Sequence, residues 1–129
     1  MEEGTKPQAI IVDIDGTICD TEHREHFLRG PKKDWTGFYG ALELDEPRYD
    51  IIERVEHFRD EGFEIILVSG RPEALRDRTL LWFLERNVPF AKCKLFMRKD
   101  GDYRSDTITK KEIYDEDIKD EYHVAFAFD

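Results

Sequence analysis

The sequence predicts an α/β protein: a three-layer α/β/α sandwich with a mostly parallel sheet and a small flap or cap insertion over residues 18–46. Three observations lead there. Short apolar runs of strand length alternate with segments of helical periodicity along the whole 129-residue chain. Those runs are continuously apolar, as strands buried on both faces are. The one departure is a charged, aromatic stretch, "CDTEHREHFLRGPKKDWTGFYGALELDE", too long for an ordinary connection.

The elements follow in order. "AIIVDI", from Ala9, reads as the first buried strand. "PRYDIIERVEHFRDEG" puts Ile51, Ile52, Val55 and Phe58 on one helical face, with Pro47 in the first turn and Gly62 at the stop. "FEIILV" is a second strand, and "PEALRDRTLLWFLERN" a second helix that sends Trp82 and Phe83 to the core. "KCKLFM" is a third strand, "TITKKEIYDEDIKD" a more polar helix, and "YHVAFAF" a fourth strand before Asp129. Strand–helix alternation of this kind builds a parallel sheet with helices on both faces. The length suits one domain, residues 1–129.

Composition narrows the function classes. No segment approaches the roughly 18 apolar residues of a membrane span, and the polar start "MEEGTKPQ" does not read as a signal peptide. Cys19 and Cys93 stand apart, without metal or disulfide spacing, which suggests a reducing, cytoplasmic setting. The formal net charge of −10, from 30 acids and 20 bases, argues against wrapping extended duplex. It is compatible with a small anionic ligand or a short nucleic-acid end held by a few focused cations.

The chemistry concentrates in "AIIVDIDGT". Residues two apart on a strand project to one side, so Asp13 and Asp15 are expected to converge where the first strand ends. In open parallel sheets that end is the ligand crevice. Two crowded carboxylates repel unless a cation intervenes, and a hard divalent ion such as Mg²⁺ is suited to oxygen ligands shared with phosphate. Gly16 permits a tight turn, and Thr17 offers a hydroxyl to a substrate.

"DIDGT" after a buried strand resembles the first motif of the haloacid dehalogenase superfamily of phosphotransferases. The resemblance implies a Rossmann-like sheet with Asp13 as the nucleophile that becomes an aspartyl phosphate. It implies Asp15 as general acid and then base, its backbone carbonyl also meeting Mg²⁺. "ILVSGR" resembles the second motif, which implies that Ser69 contacts the transferring phosphoryl group; the adjacent Arg71 offers a fork of donors suited to phosphate. "LFMRKDGDYRSDTITKKEIY" is similar to the phosphatase domain of phage-type polynucleotide kinase/3′-phosphatases. It carries over Arg98, Arg104, Asp106 and, four residues on, the phosphate-bridging Lys110; Arg24, eleven past Asp13, matches a functional arginine of that group. The family completes its metal shell with acids after the fourth strand. Asp129 is the acid here, and a further strand and helix are expected beyond it.

Other features receive plainer readings. Asp106 is expected to cap the helix beginning at Thr107, leaving Lys110 and Lys111 near the positive end of the helix dipole. His23 and His26 lack partners for a zinc site, and a substrate contact suits them better. Trp35, Phe38 and Tyr39 either stack on a base or pack the flap to the core. The expected function is thus a Mg²⁺-dependent phosphomonoesterase acting on a nucleic-acid 3′ end or a nucleotide. The alternatives are a 5′-nucleotidase or general small-molecule phosphatase, and a non-catalytic receiver-like phospho-acceptor module. No phosphate-binding "GxxxxGK[ST]" loop accompanies these motifs.

Overall fold

The computed structural model describes residues 5–129; the first four residues of the acidic N-terminal tract lie outside them. Four strands form one sheet: β1 (Gln8–Val12), β4 (Glu64–Pro72), β5 (Lys94–Arg98) and β6 (His123–Phe128). Their order is β5-β4-β1-β6, with every neighbouring pair parallel. β1 is thus flanked on both sides, which is why "AIIV" is apolar throughout.

Alternation along the strands supplies two cores. Ile10 and Val12 of β1, with Ile65, Leu67, Leu95 and Met97, meet Ile52 and Val55 of α2 (Tyr49–Asp60) and Trp82 and Phe83 of α3 (Arg76–Glu85). Ala9, Ile66 and Val68 face the other way, toward Ile118 and Ile113 beside α4 (Asp106–Ile113). Helices therefore cover both faces, as the sequence pattern predicts, and none is long and apolar enough to cross a membrane among the described residues.

The flap is a folded insertion. A two-residue antiparallel pair closes its neck, β2 (Cys19–Asp20) against β3 (Glu46–Pro47), with Cys19 opposite Pro47 and Asp20 opposite Glu46. Between them lie a 3₁₀ segment at Glu22–Leu28, α1 (Trp35–Gly40) and a 3₁₀ turn at Leu42–Leu44. The aromatic residues of α1 pack on one another, Trp35 against Phe38 and Tyr39 with ring centroids 5.8 Å apart in each case.

Four boundaries differ from expectation, each for a local reason. β1 stops at Val12 because the amides of Thr17, Ile18 and Cys19 all turn back to the Ile14 carbonyl, at 3.2, 3.0 and 3.1 Å. Pro47 belongs to the flap neck, so α2 begins at Tyr49, after Arg48 donates its amide to the Ile18 carbonyl. β4 continues through Ser69, Gly70 and Arg71 to Pro72, past the apolar run "FEIILV". Ser105, with extended backbone, is the N-cap of α4, and Asp106 is its first residue, where an acid still favours the dipole. Lys110 and Lys111 then fall in the last turn, where a cation is favourable, so the expected dipole conflict does not arise; Lys111 also pairs with Asp115 at 2.8 Å.

The core makes a direct stability prediction. Phe83 is fully buried between α3 and the sheet, so Phe83→Ala should lower the unfolding free energy by about 3–5 kcal/mol. Urea denaturation measures this, and a midpoint equal to that of the parent chain would contradict the assigned core.

Candidate active site

The four strands of the main sheet run the same way, so their carboxyl ends open on one edge of it. The Asp13 amide donates to the Phe128 carbonyl at 2.9 Å, placing Asp13 directly past β1 and alongside the end of β6. Asp129 follows the Phe128 that pairs with Val12, and it lines the same cavity as Asp13. Asp13 Oδ1 accepts from the Ile14 amide at 2.8 Å, and Oδ2 faces Lys110 Nζ at 2.9 Å. Burial pushes the Asp13 carboxyl up to about 6, against the pull of Lys110 and the Ile14 amide, and neighbouring Asp15 adds to the rise. Asp13, Lys110 and Asp129 share the lining of a cavity of about 290 Å³ with Ile11, Val68 and Phe128.

Asp15 has a different environment. Gly16, at φ +80°, turns the chain just after it. Arg71 reaches Asp15 Oδ1 through Nη2 at 2.6 Å and through Nε at 3.1 Å, and Arg24 Nη2 adds a bond of 2.8 Å to the same oxygen. Burial alone would raise this carboxyl, but the two guanidiniums outweigh it and hold Asp15 below the usual range. Both arginines are themselves buried. Arg71 is steadied by Thr79 Oγ1, which accepts from Nη1 at 3.0 Å. Arg24 is gripped by Asp45, whose Oδ1 and Oδ2 accept from Nε and Nη2 at 2.8 and 2.7 Å.

Asp45 is the residue that sequence reasoning missed. It is 0% exposed, at the far end of the flap, and it also meets His23 Nε2 at 2.6 Å. Its backbone carbonyl accepts from Trp82 Nε1 at 3.0 Å. Nothing in "ALELDEP" marks Asp45 over its acidic neighbours, because its role comes from the flap folding back on Arg24. His23 thus binds an acid of the flap and stays partly exposed.

The second strand end is organised around Gly70. The Ser69 hydroxyl is buried and accepts from the Arg71 amide at 3.0 Å. The β4–β5 register slips here, from Ser69 opposite Met97 to Pro72 opposite Arg98, and the slip aims Arg71 at Asp15. A Cβ on Gly70 would meet Asp106 Oδ1, so a larger residue there would push that carboxylate out of its present position. The Gly70 carbonyl accepts from Arg98 Nε at 2.9 Å and from the Tyr39 hydroxyl at 3.5 Å. Arg98 also holds Asp106 at 2.5 Å, and Asp106 Oδ2 lies 3.9 Å from Lys110 Nζ.

The structure thus brings together Asp13, Asp15, Ser69, Arg71, Arg24, Arg98, Asp106 and Lys110, with Asp129 lining the same cavity as Asp13. Thr17 is buried in the turn after Asp15, its amide bonded to Ile14. Arg104 lies farther out, its guanidinium shared between Asp102 and Glu112 at 2.8 and 2.5 Å.

Two acidic groups can be tested as metal sites. Ligand atoms of Asp15, Cys19 and Asp45 lie within 4.8 Å of one another. Both carboxylates, however, already carry guanidiniums, and burial pushes the Cys19 thiol up to about 12, so this set does not fit a cation. Asp13 and Asp129 offer hard oxygen donors without an arginine partner among the described residues, and those suit a divalent ion.

Known structures place this arrangement. A class C acid phosphatase from Bacillus anthracis with tungstate bound superposes with a TM-score of 0.74 at 20% identity, over 97% of this chain and 52% of that one. The fold is that of haloacid-dehalogenase-type phosphatases. The family model "Polynucleotide kinase PNKP phosphatase domain" matches residues 7–129, and the chain belongs to that family of phosphoric monoester hydrolases. A chain of the Pnkp1/Rnl/Hen1 complex is 29% identical, with a TM-score of 0.74 over 97% of this chain. A chain of the Pnkp1/Rnl/Hen1 RNA repair complex is 27% identical, with a TM-score of 0.79 over 98%. The present chain spans 39% and 37% of those two chains.

The buried ion cluster makes its own prediction. Asp45→Asn would leave the cluster of Asp15, Arg24 and Arg71 with one uncompensated positive charge, so it should destabilise the fold by about 3–5 kcal/mol, read from urea titration. A loss of about 0.5 kcal/mol or less, typical of a surface substitution, would contradict that burial.

Proposed function

We propose that this chain is a Mg²⁺-dependent phosphomonoesterase that removes the phosphate from a nucleic-acid 3′ end or a nucleotide through an aspartyl phosphate on Asp13. One observation carries the reading: the Asp13 carboxylate stands at the end of the central strand, 2.9 Å from the Lys110 ammonium. A carboxylate nucleophile needs a cation that can bridge to the incoming phosphoryl oxygens, and Lys110 is in position to do so.

The steps follow from these residues. An Asp13 oxygen attacks phosphorus as the bond from phosphorus to the leaving oxygen breaks, and that oxygen takes a proton from Asp15, which the substrate complex must hold protonated against the pull of Arg24 and Arg71. Water then attacks the aspartyl phosphate while Asp15 takes the proton back, releasing inorganic phosphate and restoring Asp13. Ser69, at the end of β4, donates its hydroxyl to the phosphoryl group. Arg24 and Arg71 fix the orientation of Asp15, while Arg98 and Asp106 fix Lys110 from the other side. Asp13, Asp129 and the Asp15 carbonyl would hold Mg²⁺, which when bound neutralises phosphoryl charge as a Lewis acid. Thr17 and Arg104 complete the proposed substrate contacts.

Preference for a 3′ end is supported by the family match and by the neighbours in RNA repair complexes. A 5′-nucleotidase or broader small-molecule phosphatase uses the same chemistry and differs only in what lies beyond the phosphate. The receiver-like alternative predicts phosphorylation without turnover.

The test is a panel of 3′-phosphorylated oligonucleotides, 3′- and 5′-mononucleotides and sugar phosphates, assayed with Mg²⁺ and again after EDTA. The 3′-phosphorylated oligonucleotides should be hydrolysed repeatedly, and EDTA should abolish turnover. Asp13→Asn should leave no turnover above background. Asp15→Asn should lower kcat by about 10²- to 10⁴-fold with little change in substrate affinity. Turnover of Asp13→Asn at the parent rate would overturn the assignment.

A further inference from the structure

The flap aromatics, the obvious candidates for meeting a nucleobase, are already engaged. Phe38 is buried with the Arg24 guanidinium 4.2 Å from its ring centroid. Tyr39 sends its hydroxyl to the Gly70 carbonyl. Trp35 is 48% exposed, but one face stacks on Tyr39 and Lys33 Nζ lies 5.8 Å from the ring. Tyr103, in the loop between β5 and α4, is different. It is 95% exposed, and its ring has no aromatic or cationic neighbour among the described residues.

The loop beneath Tyr103 is firmly held. Arg98 Nη1 donates to the carbonyls on both sides of Tyr103, Asp102 O at 3.0 Å and Arg104 O at 2.5 Å. Arg104 is clamped in turn by Asp102 and Glu112. The same Arg98 guanidinium binds the Gly70 carbonyl and Asp106, so the loop is tied directly to the residues around Lys110. A large ring standing in water on a pinned backbone gains nothing for folding, and the Arg98 contacts hold that backbone close to Gly70 and Asp106. Both faces of such a ring are open to a flat, apolar partner.

We propose that Tyr103 is a stacking platform for the nucleobase of the 3′-terminal nucleotide whose phosphate is removed. The inference rests on the phosphatase reading above and adds to it a nucleobase subsite. A platform of this kind is tolerant of sequence, because every base has a π face. It also separates nucleic-acid ends from sugar phosphates, which present no such face. The phosphate is gripped by the cluster around Asp13, and the base is held by a ring that takes no part in the chemistry.

The test uses two 3′-phosphorylated oligonucleotides, identical except that one ends in an abasic sugar, with the parent chain, Tyr103→Ala and Tyr103→Phe. Stacking of ordinary strength implies that Tyr103→Ala raises KM for the base-bearing end by about tenfold, with kcat unchanged. The abasic end should be handled alike by all three proteins, and Tyr103→Phe should behave as the parent. The full exposure of the ring implies an unchanged melting temperature for Tyr103→Ala. An unchanged KM for the base-bearing end, or an equal rise for both ends, would overturn the platform while leaving the phosphatase reading intact. If the parent chain hydrolyses sugar phosphates but neither oligonucleotide, the 3′-end reading fails and the platform falls with it.

Discussion

The ion cluster of Asp15, Arg71, Arg24 and Asp45 is the constraint on which the rest of this structure depends. Asp45 and the two guanidiniums are buried with Asp15 three-quarters covered above them, and each charge is balanced by the others. They come from four places in the chain: the turn after β1, the first and last parts of the flap, and the end of β4. Thr79 and Trp82 add a fifth, since α3 bonds to both Arg71 and the Asp45 carbonyl. Folding the flap, seating α3 and orienting Asp15 are therefore one event in energetic terms.

That cluster also separates two acids that lie only two positions apart. Asp13 faces α4 and has one lysine for company; Asp15 faces the flap and has two arginines. Their carboxyls move in opposite directions as a result, Asp13 up through burial and Asp15 down through its guanidiniums. For the proposed roles, ionising Asp13 relies on Lys110, and protonating Asp15 works against its two guanidiniums. Gly70 links the halves: its missing side chain admits Asp106, while its carbonyl receives Arg98 and Tyr39.

The layered fold was legible in the residues because it depends on periodicity, which a sequence states directly. "AIIV" and "IILV" could only be strands covered on both faces, and the α2 stripe of Ile52 and Val55 pointed at one core. The boundaries were less legible wherever long-range partners decide them. Pro47 reads as a helix start until Cys19 is seen to pair with it. Ser69-Gly70-Arg71 lies beyond the apolar run that marks the strand, and only β5 beside it shows how far the strand extends. Motif residues such as Asp13, Asp15 and Lys110 carry their own spacing, and the structure places them in contact with the partners described. Asp45 carries no such mark, because its importance lies in the residue it meets across 21 positions of chain. Tyr103 was passed over because only exposure and the Arg98 mounting distinguish it.

The narrow neck of the flap has an evolutionary side. Cys19 and Pro47 sit opposite one another, so the insertion leaves the end of β1 and returns to the start of α2 through one narrow neck. Segments joined this way can change length or be replaced wholesale without disturbing the scaffold that carries them. Here that freedom is curtailed, because the inserted piece contains Arg24 and Asp45. A lineage that exchanged this cap for another would also have to supply new counter-charges to the acid beneath it.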